Sequence, residues 1–211
     1  MGVKERKKRE RDQRRELILN AANEIMQKEG IDNISIRKIA NKIEYSPAII
    51  YHYFQDKDDI INHLMKTGYQ KIVSGLSSVL ADGDTPEELL KKLTRTYIEV
   101  ALQMPDEYKS VQLSNSPGIL EYTSSLFAGA SEKKPALKIL FQCLKEIYKG
   151  KNADDKVLEL TAQVIATSTF GLITRLILEK DLISEEQKEK LINHYIKCIV
   201  EGMVLSKPLW D

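Results

Sequence analysis

The stretch from residue 35 to residue 60, SIRKIANKIEYSPAIIYHYFQDKDDI, constrains the fold more than any other part of the chain. Its first half has isoleucines at helical spacing and ends in the polar turn Glu44-Tyr45. Ser46 and Pro47 then open a second short helix, because serine caps a helix start and proline suits the first helical position. A further helix begins at Asp56. This order of short helix, turn and short helix predicts a helix-turn-helix unit.

Amphipathic helical patterns occupy the rest of the chain, without a strand pattern or an internal repeat. An apolar stripe precedes the unit over residues 16–29, and a long one follows from Asp56 to about residue 80. Residues 106–133 are less regular and favour short helices. Longer helices are predicted over residues 85–104, 135–149, 154–180 and 184–205. We therefore predict an all-α fold of about nine helices.

Positive charge is concentrated at the start of the chain. Residues 1–15 hold eight Lys or Arg and three acidic residues, a local charge of 8 − 3 = +5, although the whole chain carries only +1. One-sided positive charge favours contact with a polyanion such as nucleic acid. The basic run over residues 4–15 fits an arm that enters a neighbouring minor groove, and it fits a solvated, disordered tail equally well.

Other functional classes lack their motifs. No apolar run is long enough for a membrane span, and the basic N-terminus lacks the apolar stretch of a signal peptide, so a cytoplasmic protein is expected. Cys143 and Cys198 are far apart, and neither they nor the three histidines have metal-ligand spacing. No glycine-rich phosphate loop, nucleophile elbow or paired-carboxylate motif occurs. We predict that the chain is not an enzyme and uses no metal or cofactor.

Three blocks of sequence resemble the signature of the TetR/AcrR family of bacterial transcription regulators. They are Ser35-Ile36-Arg37-Lys38-Ile39-Ala40, Ser46-Pro47-Ala48-Ile49-Ile50-Tyr51-His52-Tyr53-Phe54 and Lys57-Asp58-Asp59-Ile60. The blocks stand at the family's spacing, and the close resemblance covers about residues 14–62. Beyond it, only the length and the helix pattern are similar.

Three positions depart from the family pattern. Glu44 stands where the turn usually has glycine, next to Tyr45 in place of a small aliphatic residue. A non-glycine residue can be accommodated there if its backbone avoids a strongly left-handed conformation. Ile49 stands where threonine is common, which removes a hydroxyl contact to DNA at that point.

The resemblance implies a basic N-terminal extension at residues 1–14, a three-helix DNA-binding domain at 15–62, and a ligand-binding and dimerisation domain at 63–211. It implies a homodimer joined by the last two helices, with double-stranded operator DNA and a small-molecule effector as partners. The expected function is that of a repressor that binds a palindromic operator and releases it when the effector binds. A TetR-type activator, or a carrier or enzyme with a relic helix-turn-helix, are the alternatives.

The predicted DNA contacts follow from side-chain chemistry. Lysine and arginine suit phosphate, tyrosine hydroxyls donate to phosphate, and an imidazole can reach a base acceptor. Alanine and isoleucine can contact only thymine methyls. Tyr53 fits a core aromatic residue as well as a DNA contact. The predicted DNA-binding residues are Arg37, Lys38, Ser46, Pro47, Ala48, Ile49, Tyr51, His52, Tyr53 and Lys57.

Two further sets are predicted in the later helices. Large flexible or aromatic side chains are candidates for lining a largely apolar effector site, although such residues also fit a core: Met65, Tyr69, Tyr97, Met104, Tyr108, Tyr122, Phe127, Phe141 and Phe170. The apolar last helices suggest a dimer interface that includes Val164, Ser168, Gly171, Arg175, Ile192, Tyr195, Ile199, Gly202 and Met203. Glycine inside these helices is expected to allow close approach of another helix.

Overall fold

The computed structural model describes residues 2–81, 83–115 and 117–205. Within these residues the fold is all-α, as predicted, with eleven α-helices and no strand. They are α1 (Val3–Glu29), α2 (Ile36–Lys42), α3 (Pro47–Tyr51), α4 (Lys57–Ser78), α5 (Pro86–Leu102), α6 (Pro105–Gln112), α7 (Pro117–Thr123), α8 (Ala130–Lys133), α9 (Pro135–Ile147), α10 (Asp155–Leu178) and α11 (Glu185–Lys197).

Short segments of other helical types complete the described chain. Two 3₁₀ helices lie at Ile31–Asn33 and Val79–Ala81, and a π-helical segment at Cys198–Val204 continues α11. The helix count exceeds the predicted nine because the irregular region forms three short helices, α6, α7 and α8. Helices of only four to eight residues have little periodicity of their own, so sequence pattern defines them poorly.

Polar caps define several helix starts. The Ser35 hydroxyl accepts a hydrogen bond from the Lys38 N–H at 3.2 Å, and Asp56 Oδ1 accepts one from the Asp59 N–H at 2.8 Å. Thr85 and Ser184 cap α5 and α11 in the same way. These bonds satisfy backbone donors that have no partner inside the helix. Ser46 precedes α3 without a side-chain cap bond, so Pro47 at the first position is the main local start signal there.

The turn after α2 does not meet the condition stated for a non-glycine residue. Glu44 has φ +58°, in the left-handed region. The reason is the hydrogen bonding that ends α2: the Tyr45 N–H donates to the Ala40 carbonyl at 2.9 Å, and the Glu44 N–H donates to the Asn41 carbonyl at 3.3 Å. This is a Schellman motif, which requires a positive φ at the residue after the cap.

The chain divides into two compact units. The first comprises Met1–Tyr69 and Asp106–Thr123, and the second comprises Gln70–Pro105 and Ser124–Asp211. Helix α4 begins in the first unit and ends in the second. The functional domain boundaries predicted after residues 14 and 62 stay a prediction.

The first unit is built around one apolar core. Aliphatic side chains of α1, α2, α3, α4 and α7 meet there with the ring of Phe54. Its most deeply buried members include Ile18, Ile39, Ile50, Phe54, Ile60 and Ile119. Helix α6 is hydrogen-bonded to α1, because the Asn23 amide donates to Glu107 Oε1 at 2.9 Å. The core therefore fixes the short helices α2 and α3, which are too short to be stable alone.

The second unit packs α10 against α5 and α9, and α11 against α5. By length and composition α10 could cross a membrane, and it is the one helix of the described chain with that property. Its buried residues include the polar Thr161, Gln163 and Thr169, whose side chains donate to backbone carbonyls. Packing on two neighbouring helices accounts for the apolar character that the sequence analysis identified in α10.

Candidate nucleic-acid interface

Helix α3 has a buried side and an exposed side. The side chains of Ile50 and Phe54 are 0% and 2% exposed, whereas Tyr51 is 57% exposed. Ala48 and His52 are also exposed. Ile50 and Phe54 therefore pack inward, into the core of the first unit. An aromatic hydroxyl, an imidazole and a methyl group therefore face outward from one short, firmly packed helix.

The remaining predicted DNA-binding residues lie close to α3 along the chain. Ser46, Pro47 and Lys57 are exposed, and Ile49 is partly buried. The Ile49 side chain is therefore less available for apolar contact with a thymine methyl than Ala48. The short lengths of α3 and its flanking turns keep all of these groups within a few residues of Tyr51.

The two predicted cations of α2 differ in their contacts. Arg37 is exposed, whereas Lys38 Nζ lies 2.6 Å from Glu29 Oε2. Lys42 pairs with Glu24 at 2.7 Å, and this hydrogen bond lowers the pKa of the Glu24 carboxyl. A phosphate can bind Lys38 by replacing Glu29, because the ion pair is exposed to solvent and therefore weak.

Tyr53 combines the two roles considered for it. Its ring is partly buried and packs against the core of the first unit. A hydrogen bond with Tyr53 is the main cause of the raised pKa of Arg14, to which the nearby Tyr45 also contributes. Arg14 therefore holds the phenol oxygen at the surface, where its hydroxyl can still donate to a phosphate.

Arg15 anchors the end of this site. Its guanidinium lies over the Phe54 ring at 4.6 Å, and its Nη2 is hydrogen-bonded to Nε2 of His63. His63 meets the same ring edge-on, with centroids 5.5 Å apart, and its Nδ1 lies 2.8 Å from the Asp59 carbonyl oxygen. These contacts fix α1 and the start of α4 around the residues that follow α3.

Sequence pattern did not identify Arg14, Arg15 and Tyr45 as individual residues of this site. The two arginines were predicted only as part of a charged run, because charge alone does not show which side chains pack on an aromatic ring. Their positions four and three residues before the buried Ile18 were the available indication, since they place both arginines close to the packed face of α1.

The comparison with known proteins addresses this part of the chain directly. A profile of the bacterial regulatory proteins of the tetR family matches residues 18–64, from the first buried turn of α1 into α4. The matched segment contains the exposed face of α3 and the core that supports it. Residues 18–64 belong to the TetR family. The TetR/AcrR resemblance noted from the sequence blocks is thereby confirmed.

Longer comparisons agree with this assignment. A Bacillus subtilis protein, the uncharacterized HTH-type transcriptional regulator YuxN, is 24% identical over 192 residues, which cover 90% of this chain and 64% of that protein. The chain spans less than two thirds of the length of the first curated relatives that it matches.

Solved structures share the fold. The fatty acid degradation regulator FadR of Bacillus halodurans has a TM-score of 0.69 at 18% identity, covering 90% of this chain and 95% of that one. FadR of Thermus thermophilus, a TetR-family repressor in complex with lauroyl-CoA, has a TM-score of 0.60 at 20% identity, covering 93% and 98%. At these identities the similarity establishes the TetR fold alone.

The residues predicted to line an effector site fall into both units of the chain. Met65 and Tyr108 are buried in the first unit, where Tyr69 and Tyr122 are partly buried. Tyr122 packs against the core that contains Met65. In the second unit Phe127 is exposed, and four residues are partly buried: Tyr97, Met104, Phe141 and Phe170. The effector site stays a prediction.

The residues predicted for a dimer interface also differ in exposure. Val164, Gly171, Arg175 and Gly202 are exposed, and Ser168 and Met203 are partly exposed. Ile192 and Ile199 are instead buried within the chain. The Tyr195 hydroxyl is hydrogen-bonded within the chain, at 2.7 Å from Ser168 Oγ and 2.9 Å from Thr169 Oγ1. Apart from its own helix backbone and chain neighbours, no described atom would lie within 4 Å of a Cβ added at Gly171 or Gly202, so packing within the described chain does not require glycine at either position.

Proposed function

We propose that this TetR-family protein is a sequence-specific transcriptional regulator that binds a palindromic operator as a homodimer. The observation that supports this proposal best is the two-sided character of α3. Ile50 and Phe54 hold the helix in the core, while Tyr51, His52 and Ala48 are exposed. A rigid short helix with exposed hydrogen-bonding groups suits the major groove, where base pairs present distinct donors and acceptors.

A homodimer is favoured by an exposed apolar stripe along α10. Leu160, Val164 and Leu178 are 61%, 54% and 54% exposed, and the open backbone of Gly171 lies on the same side of the helix. Exposed leucines and valine in a row cost free energy in water, which burial against a second copy would recover. A twofold dimer presents two copies of α3, and its operator would therefore be an inverted repeat.

Repression relieved by a small, largely apolar effector is the mode of action that we propose. Helix α4 runs from the first unit into the second. A displacement of its later turns would therefore also move His63 near its start, which is hydrogen-bonded to Arg15 beside the residues that follow α3. Among proteins of the same fold, the Thermus thermophilus repressor was solved with lauroyl-CoA. Acyl-CoA, whose acyl chain would supply the apolar part, is therefore the first effector class to test.

We further propose that the chain is a cytoplasmic protein without catalytic activity. The relatives compared are transcriptional regulators. The described residues contain no group of three or more potential metal ligands. Regulation by binding alone accounts for every site feature described above.

Selection of duplexes from a random pool, followed by mobility shift, tests the proposal. We expect enrichment of one inverted repeat and a complex containing two copies of the chain. Lauroyl-CoA should then dissociate this complex at concentrations where coenzyme A alone does not. Failure to enrich any inverted repeat would contradict operator binding. Dissociation by neither compound would contradict only the acyl-CoA class of effector.

A further inference from the structure

The basic N-terminal segment is helical. Helix α1 begins at Val3 and continues without a break to Glu29. Its first turn is stabilised by the Gly2 N–H, which donates to Glu5 Oε2 at 3.0 Å, and its second by an ion pair of Arg6 with Glu10 at 3.1 Å. Residues 4–15 therefore have defined directions around a helix axis, unlike the residues of a disordered tail.

Most of the positive charge lies on one side of that helix. At about 100° per residue, six of the eight basic side chains fall within a sector of about 120° that contains no acidic residue. We call these six residues the basic stripe: Lys4, Lys7, Lys8, Arg11, Arg14 and Arg15. The remaining two, Arg6 and Arg9, lie on the opposite side of the helix.

The C-terminal end of the basic stripe lies beside the residues that follow α3. It continues the line of Ile18 and Ala22, which are buried against the core of the first unit. Its last two members, Arg14 and Arg15, contact Tyr53 and Phe54, which follow α3 in the chain. From there the stripe extends for about 16 Å towards Lys4, at 1.5 Å per residue.

The four outer members of the stripe lack partners for their charge. Lys4, Lys7, Lys8 and Arg11 are exposed, and none is in an ion pair within residues 2–81, 83–115 and 117–205. They are spaced three or four residues apart, where like charges on a helix repel each other. A solvated tail does not require such alignment, whereas a row of phosphates would relieve the repulsion.

We propose that the basic stripe lies along the sugar-phosphate backbone of duplex DNA, next to the half-site contacted by α3. This inference rests on the proposed function, because it assumes that α3 binds DNA. Measured along the duplex axis, about 16 Å corresponds to roughly five base-pair steps of 3.4 Å, so the stripe is long enough to contact several phosphates. The contacts are independent of base sequence, and they require that residues 4–15 remain helical.

Matched double variants test the stripe. Lys7→Gln with Arg11→Gln removes two charges from it, whereas Arg6→Gln with Arg9→Gln removes two from the opposite side of the same helix. Binding is measured by fluorescence anisotropy at several salt concentrations, with the selected inverted repeat and with a scrambled duplex of equal length. Circular dichroism and thermal unfolding confirm that each variant is folded.

Because the bound dimer carries two stripes, the stripe variant loses four charges per complex and should reduce the slope of log affinity against log salt by about 3.6, at about 0.9 for each lost phosphate contact. At 0.1 M salt this corresponds to a loss of about 10³-fold or more on both duplexes. The control variant should stay within about threefold of the wild type. Trimming the duplex to the outer edges of the half-sites should remove the difference between the two variants.

A second pair tests the helical form. Arg9→Pro leaves all six stripe charges in place but interrupts α1, because proline removes a backbone N–H and clashes with the preceding turn. It should lose about as much affinity as the stripe variant, whereas Arg9→Gln should not. Wild-type affinity for Arg9→Pro would overturn the proposal of a rigid stripe.

The outcomes separate this inference from the proposed function. If the wild-type chain binds the inverted repeat but both double variants have equal salt slopes, the stripe proposal is overturned and operator binding stands. If the wild-type chain binds neither duplex, both proposals are overturned. A larger slope loss for the stripe variant supports both.

Discussion

At the residue scale, neighbouring positions on α3 have opposite roles. Ile50→Ala should lower the free energy of unfolding by about 2–5 kcal/mol, because it leaves a cavity in the core of the first unit. Tyr51→Ala should change it by less than about 0.5 kcal/mol, because the Tyr51 side chain is exposed. Urea unfolding of both variants measures the difference, and a similar loss in each would contradict the two-sided description of α3.

Glu44 is the residue whose backbone is most clearly strained. A φ of +58° raises the free energy of the folded state by about 1–2 kcal/mol for a residue with a Cβ. Glycine removes this strain, and its greater freedom in the unfolded chain offsets only part of the gain. Glu44→Gly should therefore raise the free energy of unfolding by about 0.5–1 kcal/mol.

Asn152 provides a matched control, because it also has a positive φ, of 54°. Asparagine enters the left-handed region more readily than glutamate, so Asn152→Gly should have the smaller effect. Destabilisation by Glu44→Gly in urea unfolding would mean that the Glu44 side chain itself stabilises the turn.

At the element scale, Glu159 of α10 holds the start of α8. Its carboxylate accepts hydrogen bonds from the Gly129 N–H, from the Ser131 N–H and from the Ser131 hydroxyl, at 2.9, 2.9 and 2.7 Å. These bonds lower the pKa of the Glu159 carboxyl from its ordinary value of 4.5. Their stabilising effect is present above that ordinary value and is lost as pH falls through the lowered pKa.

The prediction is a pH-dependent difference between wild type and Glu159→Gln. The variant should be less stable at pH 7, where the wild-type carboxylate is charged and accepts all three bonds. The difference should shrink as pH falls below 4.5, because protonation removes the wild-type advantage. Thermal unfolding across this pH range measures it, and a difference that does not change with pH would contradict the assigned role.

Helix starts were the most predictable elements. Ser35, Thr85 and Ser184 cap the helices that their positions predicted, because a cap depends on only three or four adjacent residues. The short helix α8 could not be predicted in this way. Its start depends on Glu159, about thirty residues later in the chain, and such a contact leaves no local pattern.

At the scale of the whole molecule, periodicity identified buried faces but not their purpose. Met65 and Tyr108 were predicted to line an effector site and are buried in the first unit. Ile192 and Ile199 were predicted at a dimer interface and are buried within the chain. An apolar stripe has the same sequence pattern whether a core, a cavity or a second copy covers it.

Oligomeric state is a property of the whole molecule. Val164→Asp should shift the chain towards the monomer, because it places a charge in the exposed apolar stripe of α10. Gln142→Asp, at an exposed position of α9, is the matched control and should leave the oligomeric state unchanged. Sedimentation equilibrium distinguishes the two, and an unchanged mass for Val164→Asp would argue against an interface along α10.

We propose that the exposed side of α3 determines DNA sequence preference, chiefly through His52, whose imidazole can reach a base acceptor. The most direct test is the affinity ratio between the selected inverted repeat and a scrambled duplex, for the wild type and for His52→Ala. We expect a wild-type ratio of about 10³ or more. His52→Ala should reduce it at least about tenfold, with unchanged affinity for the scrambled duplex. An unchanged ratio in the folded variant would contradict base recognition by the exposed side of α3.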